Sequence, residues 1–169
     1  LARVAETYVA AVLATGFDAL VNRRANRMPW PRGSTRYALA VMAELRVFSP
    51  LRYRLTLDGQ IRELPAMLVA IGNTSSYGGG MLICPQADPY DGLLDVTIIH
   101  PVGRLKLLRL FPEMYSGNFV RDACVEQLRV RGATVEGAGL VGFGDGEMLG
   151  AAPLQVCSVP RALPVFVPE

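Results

Sequence analysis

Asp145 and Glu147 sit two residues apart across Gly146. On an extended strand both side chains lean to one face. In a tight turn they converge instead. Paired carboxylates at that separation suit proton abstraction from a hydroxyl, or the binding of a cation. A solvated hairpin tip is the competing reading, because Asp-Gly is also a favoured hairpin dipeptide. A second acidic stretch, Asp88, Asp91 and Asp95, places three carboxylates in eight residues around the turn Asp91-Gly92. Such a turn also exposes main-chain carbonyls, the oxygen-rich setting that Mg²⁺ or Ca²⁺ prefers. The spacing is not that of an EF-hand, since the glycine and the distal Glu are wrongly placed.

The remaining candidates carry blander readings. Gly78-Gly79-Gly80-Met81 has no Lys-Ser/Thr after it, so it is not a phosphate loop of the common nucleotide-hydrolase type. His100, the sole histidine, lies directly before Pro101 with no Ser or Cys motif beside it, which reads as a strand end. Cys84, Cys124 and Cys157 match no zinc spacing and no disulfide framework. They read as buried thiols in a reducing, cytoplasmic setting. Arg23, Arg24, Arg27 and Arg32 could touch anionic headgroups or form a solvated helix face. Met28, Trp30, Met42, Phe48, Leu110 and Phe111 could line an apolar groove or simply pack helices.

These residues need a scaffold of short strands. Tyr8–Ala14 reads as a buried strand, followed by a helix over Phe17–Arg27 that Met28-Pro29-Trp30-Pro31 stops. Ser34 is placed to cap a second helix whose apolar stripe is Tyr37, Ala38, Val41, Met42, Leu45 and Phe48. Leu51 to Leu57 alternates with polar residues and turns at Asp58-Gly59 into a partner strand over Ile61–Gly72. Further strands are expected at 81–84, 94–100, 124–131, 139–143, 154–159 and 163–167, with one helix over Val102–Tyr115. The expected fold is mainly β (α+β): an antiparallel β-sandwich or distorted barrel with two or three helices.

The totals bound the function. The chain has 169 residues, 51% of them of apolar type, so one domain with a sizeable core is expected over 1–169. A net charge of only +2 gives no case for nucleic acid as a partner. No signal peptide is visible, and the start without Met suggests a fragment of a longer, soluble protein.

Taken in order, several stretches resemble the C-terminal domain of the diacylglycerol kinase and sphingosine kinase family of lipid kinases. They are Gly16-Phe17-Asp18, the Gly33 to Tyr37 helix start, Gly72-Asn73, Gly78 to Met81, Pro85 with Ala87, Asp91 to Val96, Gly117, Gly144 to Glu147 with Pro153, and Pro160 to Val165. The resemblance implies a two-domain enzyme. Its N-terminal domain, with a Gly-Gly-Asp-Gly-Thr signature absent from this chain, holds ATP. The C-terminal domain presents the hydroxyl of a lipid substrate at the membrane surface. Asp145 would then resemble the general base and Glu147 its partner or itself the proton acceptor. A structural Mg²⁺ would take the Asp91 carboxylate and the main-chain oxygens of Asp88 and Leu93. The fragment alone is expected to be inactive, and strand edges left by the absent domain predict a homodimer. Two rivals stand beside this reading: a kinase acting on a soluble acceptor such as a dinucleotide, and a non-catalytic β-sandwich binding module.

Overall fold

The structure, a computed structural model, describes residues 1–164. Two antiparallel six-stranded sheets face each other. From edge to edge the first holds β2 (Thr7–Val9), β1 (Ala2–Val4), β12 (Leu154–Ser158), β9 (Gly132–Glu136), β4 (Leu51–Leu57) and β5 (Gln60–Ala66). The second holds β11 (Glu147–Ala151), β10 (Val141–Gly144), β3 (Val12–Gly16), β6 (Leu68–Gly72), β7 (Leu94–Ile99) and β8 (Val125–Val130). Both sheets keep free edges, so the fold is a sandwich and not a barrel.

Helices α1 (Phe17–Arg27), α2 (Ser34–Val47) and α3 (Arg104–Met114) make a third layer. The continuous apolar run of β6 explains why. Val69 and Ile71 point between the sheets with Leu55, Val96 and Val135, while Leu68 and Ala70 point outward to Phe17, Leu107 and Leu110. A strand buried on both faces has no wet side to alternate with. Phe17 ties the outer layer together by edge-to-face contacts with Phe48 (centroids 5.1 Å apart) and Phe111 (5.8 Å).

Several expectations need correction. The strand expected over Tyr8–Ala14 is broken at Ala10-Ala11 into β2 and β3, which belong to different sheets. The return strand over Ile61–Gly72 breaks at Met67 for the same reason: β5 finishes one sheet and β6 enters the other. The Met67 amide is satisfied by the Ile99 carbonyl at the corner. Met81–Cys84 is no strand. Met81 bridges back only to Tyr77 across the three glycines, Leu82 donates to Met114 and Cys84 to Ser75. Of the stripe expected on α2, Leu45 and the capping Phe48 turn inward and Val41 is half-buried, while Tyr37, Ala38 and Met42 are exposed and Ala40 and Glu44 complete the inward face. The Arg24 guanidinium holds the Glu44 carboxylate at 2.6 Å, and that pair brings the polar residue inward. The helix begins at Ser34 itself, with Gly33 preceding it. The strands β1, β9 and β11 were not anticipated. Of the stretch expected over 163–167, Leu163 and Pro164 are not in a strand, and 165–167 lie outside the described residues.

Candidate functional site

Strand register decides what meets at one end of the second sheet. Gly144 pairs with Glu147 and with Leu13, Val12 with Gly72, Gly72 with Asp95, and Asp95 with Arg129. Motifs far apart in sequence therefore lie along one sheet end: the β10–β11 turn, the β2–β3 corner, the residues after β6 and the start of β7.

The β10–β11 turn is two residues long, Asp145 (φ 51°) and Gly146 (φ 89°). Both central residues have positive φ, the arrangement that matches the strands' own twist. Asp tolerates that region and glycine meets no penalty there. The Asp145 carboxylate does not wave in solvent. Its Oδ2 accepts the Ala10 amide at 2.6 Å and its Oδ1 the Ala11 amide at 2.9 Å. Asn73 grips the same corner from the other side, its Nδ2 donating to the Ala10 carbonyl (2.9 Å) and its own amide to the Ala11 carbonyl (2.8 Å). Gly72 is needed beside it, because a Cβ there would stand 2.8 Å from the Thr74 carbonyl oxygen and 2.9 Å from Cys84. Asn26, near the end of α1, donates to the Gly146 carbonyl at 3.3 Å and so binds the helical layer to the turn. Glu147 opens β11 and is exposed, with no hydrogen-bond or ion-pair partner among the described residues. One carboxylate is locked and its neighbour is open to a ligand.

The second acidic stretch forms a separate place. Asp145 and the start of β7 are separated by β3 and β6, roughly 15 Å at the usual strand spacing. Asp88 Oδ1 accepts the Tyr90 amide (2.9 Å) and Asp91 Oδ1 the Leu93 amide (2.8 Å), so both side chains shape the loop. Arg129 lies among Asp91 and Asp95, 3.8 Å from Asp91 Oδ2 and 3.4 Å from Asp95 Oδ2. Asp95 is buried and its Oδ2 has no hydrogen bond. Burial pushes its carboxyl above the ordinary range, Arg129 pulls it back, and Asp91 adds to the rise. Beside the loop is an open depression of about 490 Å³ lined by Asp91, Gly92, Leu93, Arg131, Ser158 and Pro160. Asp91 Oδ2 meets only the Arg129 guanidinium, at 3.8 Å, and the Asp88 carbonyl accepts the Asp91 amide at 3.4 Å, so the carboxylate oxygen is the one donor here a hard cation could take directly. No group of three or more acidic, Cys or His side chains with metal-site geometry occurs among the described residues. Any cation here thus depends on main-chain oxygens as well.

The glycine run, His100 and the cysteines are structural. Gly78, Gly79 and Gly80 all take positive φ to close the Tyr77–Met81 turn. His100 leans on Glu126 at 3.1 Å. Cys84 and Cys124 are buried, and Cys157 half-buried. Asp18 was noticed only as part of a motif, yet it is a buried acid at the start of α1. Burial pushes its carboxyl up to about 6, opposed by the Tyr77 hydroxyl. The signal available in sequence was an Asp wedged between apolar Phe17 and Ala19 at a helix start. A depression of about 370 Å³ on the first sheet contains Arg3, Asp58, Thr134 and Gln155 but none of the motif residues above.

Residues 11–167 match the family described as the YegS C-terminal NAD kinase beta sandwich-like domain. A diacylglycerol kinase of Mycobacterium tuberculosis (strain CDC 1551 / Oshkosh) is 46% identical over 165 residues, covering 97% of this chain and 53% of that protein. A "probable lipid kinase YegS-like" of Pseudomonas aeruginosa (strain UCBPP-PA14) is 39% identical over 103 residues, 60% of this chain and 33% of its own. A crystal structure of a diacylglycerol kinase from Bacillus anthracis str. Sterne superposes with a TM-score of 0.62 over 94% of this chain and 49% of that one, at 17% identity. That likeness concerns the fold. The chain spans about half the length of the curated relatives it matches first.

Proposed function

The chain belongs to the YegS C-terminal NAD kinase β-sandwich-like domain family, whose relatives are named lipid kinases, and from that premise we propose that it is the acceptor-side half of an ATP-dependent kinase phosphorylating the hydroxyl of diacylglycerol or a related lipid. A nucleotide-binding half outside this chain would supply ATP across the sheet end that carries Asp145 and Glu147.

One observation supports this reading above others: the Asp145 carboxylate is anchored to two backbone amides while the adjacent Glu147 carboxylate stays open. Phosphoryl transfer asks a protein mainly for positioning and for neutralisation of charge. Asp145 fixes the turn, and its exposed carboxylate keeps acceptor capacity beyond its two hydrogen bonds. Glu147, two residues on, is free to approach the acceptor hydroxyl. Between them the pair takes the proton as the hydroxyl attacks in line, a contribution of about 10²–10⁴-fold in rate for a well-placed base. Asp91, with the main-chain oxygens of Asp88 and Leu93, would hold a Mg²⁺ that supplies charge and rigidity to the loop. At roughly three strand spacings from Asp145 that ion is structural and takes no part in the proton's path.

The test is thin-layer assay of a full-length kinase carrying this domain, offered diacylglycerol, a sphingoid base and a dinucleotide in parallel. Phosphorylated diacylglycerol, abolished by Glu147→Gln, is the expected result. Phosphorylation of the dinucleotide alone would instead assign a soluble acceptor, and no product from any acceptor would leave a binding module.

A further inference from the structure

We propose that the outer face of the first sheet carries a binding groove for a small phosphorylated polyol. The depression of about 370 Å³ on that face has room for a small molecule and not merely an ion. Strand register explains its shape. Gln155, Thr134 and Thr56 are direct cross-strand neighbours on β12, β9 and β4, and they form one row across the groove. In the next row Arg3 on β1 stands opposite Cys157, and Cys157 opposite Gly132. That row ends in a gap, because Gly132 has no side chain.

The backbone does not require glycine at this point. Gly132 has no positive φ, and a Cβ there would have one close neighbour beyond the adjoining residues, the Val156 carbonyl oxygen at 3.4 Å. A glycine in a paired strand that neither turn geometry nor crowding demands marks a place where a ligand approaches the main chain. The side chains around the gap are unpaired. Arg3 has no carboxylate within 4 Å among the described residues. The other wall is Asp58, just past β4 and three strand spacings from β1, roughly 14 Å between backbones. Its carboxylate already accepts the amides of Arg131 and Gly132, which suits it to accept from a hydroxyl and not to hold an ammonium group. A cation at one wall, an acceptor at the other, and hydroxyls and an amide between them fit a ligand with phosphate at one end and hydroxyls along its body.

A full-length, isotope-labelled protein carrying this domain is titrated with sorbitol phosphate, sorbitol, inorganic phosphate and phosphoethanolamine. The amide resonances of Gly132 and Thr134 are followed. Both should move with sorbitol phosphate, weakly with inorganic phosphate and not with sorbitol. Arg3→Gln should weaken binding about tenfold, the contribution of one charged hydrogen bond. Gly132→Val fills the gap and should abolish binding while the melting temperature holds, since a β-branched residue suits a strand. Should that variant fail to fold, Thr134→Val removes a hydroxyl from the same groove and is expected to weaken binding. Unmoved resonances with sorbitol phosphate overturn the proposal, as does an equal response to sorbitol or to inorganic phosphate. Tighter binding of phosphoethanolamine, or an Arg3→Gln protein that binds as the parent does, overturns it too. Asp145 and Glu147 belong to the other sheet and turnover is not the readout, so the groove and the kinase reading can fail separately.

Discussion

Asp145 and Glu147 look alike in sequence, yet their surroundings ask different things of them. An Asn at 145 would turn an NH₂ toward one of the two amides that the carboxylate now receives. Asp145→Asn should therefore lower the melting temperature as well as turnover, losing about 1–3 kcal/mol for the spoiled pair of hydrogen bonds. Glu147→Gln should cut kcat of a full-length enzyme about 10²–10⁴-fold and leave the melting temperature where it was. A Glu147→Gln enzyme with ordinary kcat would remove that residue from the proton's path. Asp18 offers a different residue-scale test. Its folded pKa, about 6, lies above its ordinary 3.8, so the protonated form favours the fold. That contribution is fully present only below about pH 3.8 and is lost as pH rises through 6. Two pKa units correspond to roughly 3 kcal/mol. The stability of Asp18→Asn relative to the parent should climb between pH 4 and pH 7 and then level off. Parallel pH profiles for the two proteins would contradict the assignment.

At the scale of elements, turns and corners carry the organisation. The β4–β5 turn has Asp58 at φ 46° and Gly59 at φ 85°, the same two-residue geometry as the β10–β11 turn. Asp58 does more than turn the chain. Its carboxylate accepts the amides of Arg131 (2.9 Å) and Gly132 (3.0 Å), fastening the hairpin to the link between β8 and β9, where the chain passes from one sheet to the other. Asp58→Ala should lower the urea midpoint, costing about 1–2 kcal/mol from lost hydrogen bonds and an unfavourable φ for Ala. A midpoint equal to the parent's would show that the corner holds without this tie. Helix α2 behaves otherwise. Its packed face carries Glu44, held by the exposed Arg24, and ends at Phe48, which meets Phe17 edge to face.

Across the whole molecule, the two sheets are held by their shared core and by a polar clasp at one side. Arg62 on β5 reaches over to β8 and holds both oxygens of Glu126, at 2.8 and 3.0 Å, while His100 touches Glu126 at 3.1 Å. The Arg62 contact, helped by His100, keeps the Glu126 carboxyl below its ordinary range. A depressed folded pKa stabilises the fold above the unfolded value, and that stabilisation is lost as pH falls through the folded one. Acid unfolding of the parent should therefore show a pH-dependent loss below about pH 4.5 that Glu126→Gln lacks. The effect should be modest, since the pair is partly exposed and salt screens it. Asp18 and Glu126 thus push stability in opposite directions with pH, from inside and from the rim.

Much of this was legible in the chain itself. Period-two alternation placed β4 and helical spacing placed the three helices, with α1 matched from Phe17 to Arg27, because those segments need only a local rule. Asp-Gly dipeptides marked the turns for the same local reason. Sheet membership was another matter. A strand that ends one sheet and a strand that begins the next can be a single apolar run, as at Met67, since what separates them is a corner and not a change of composition. The inward face of α2 was legible only in part: Leu45 and Phe48 turn in as expected, but apolar residues line both sides, and Glu44 turns in beside an arginine twenty residues away. The acids at 145 and 147 announced themselves by type and spacing. That one is tethered to Ala10 and Ala11 and the other left open was decided by register between strands more than a hundred residues apart, which no local pattern encodes.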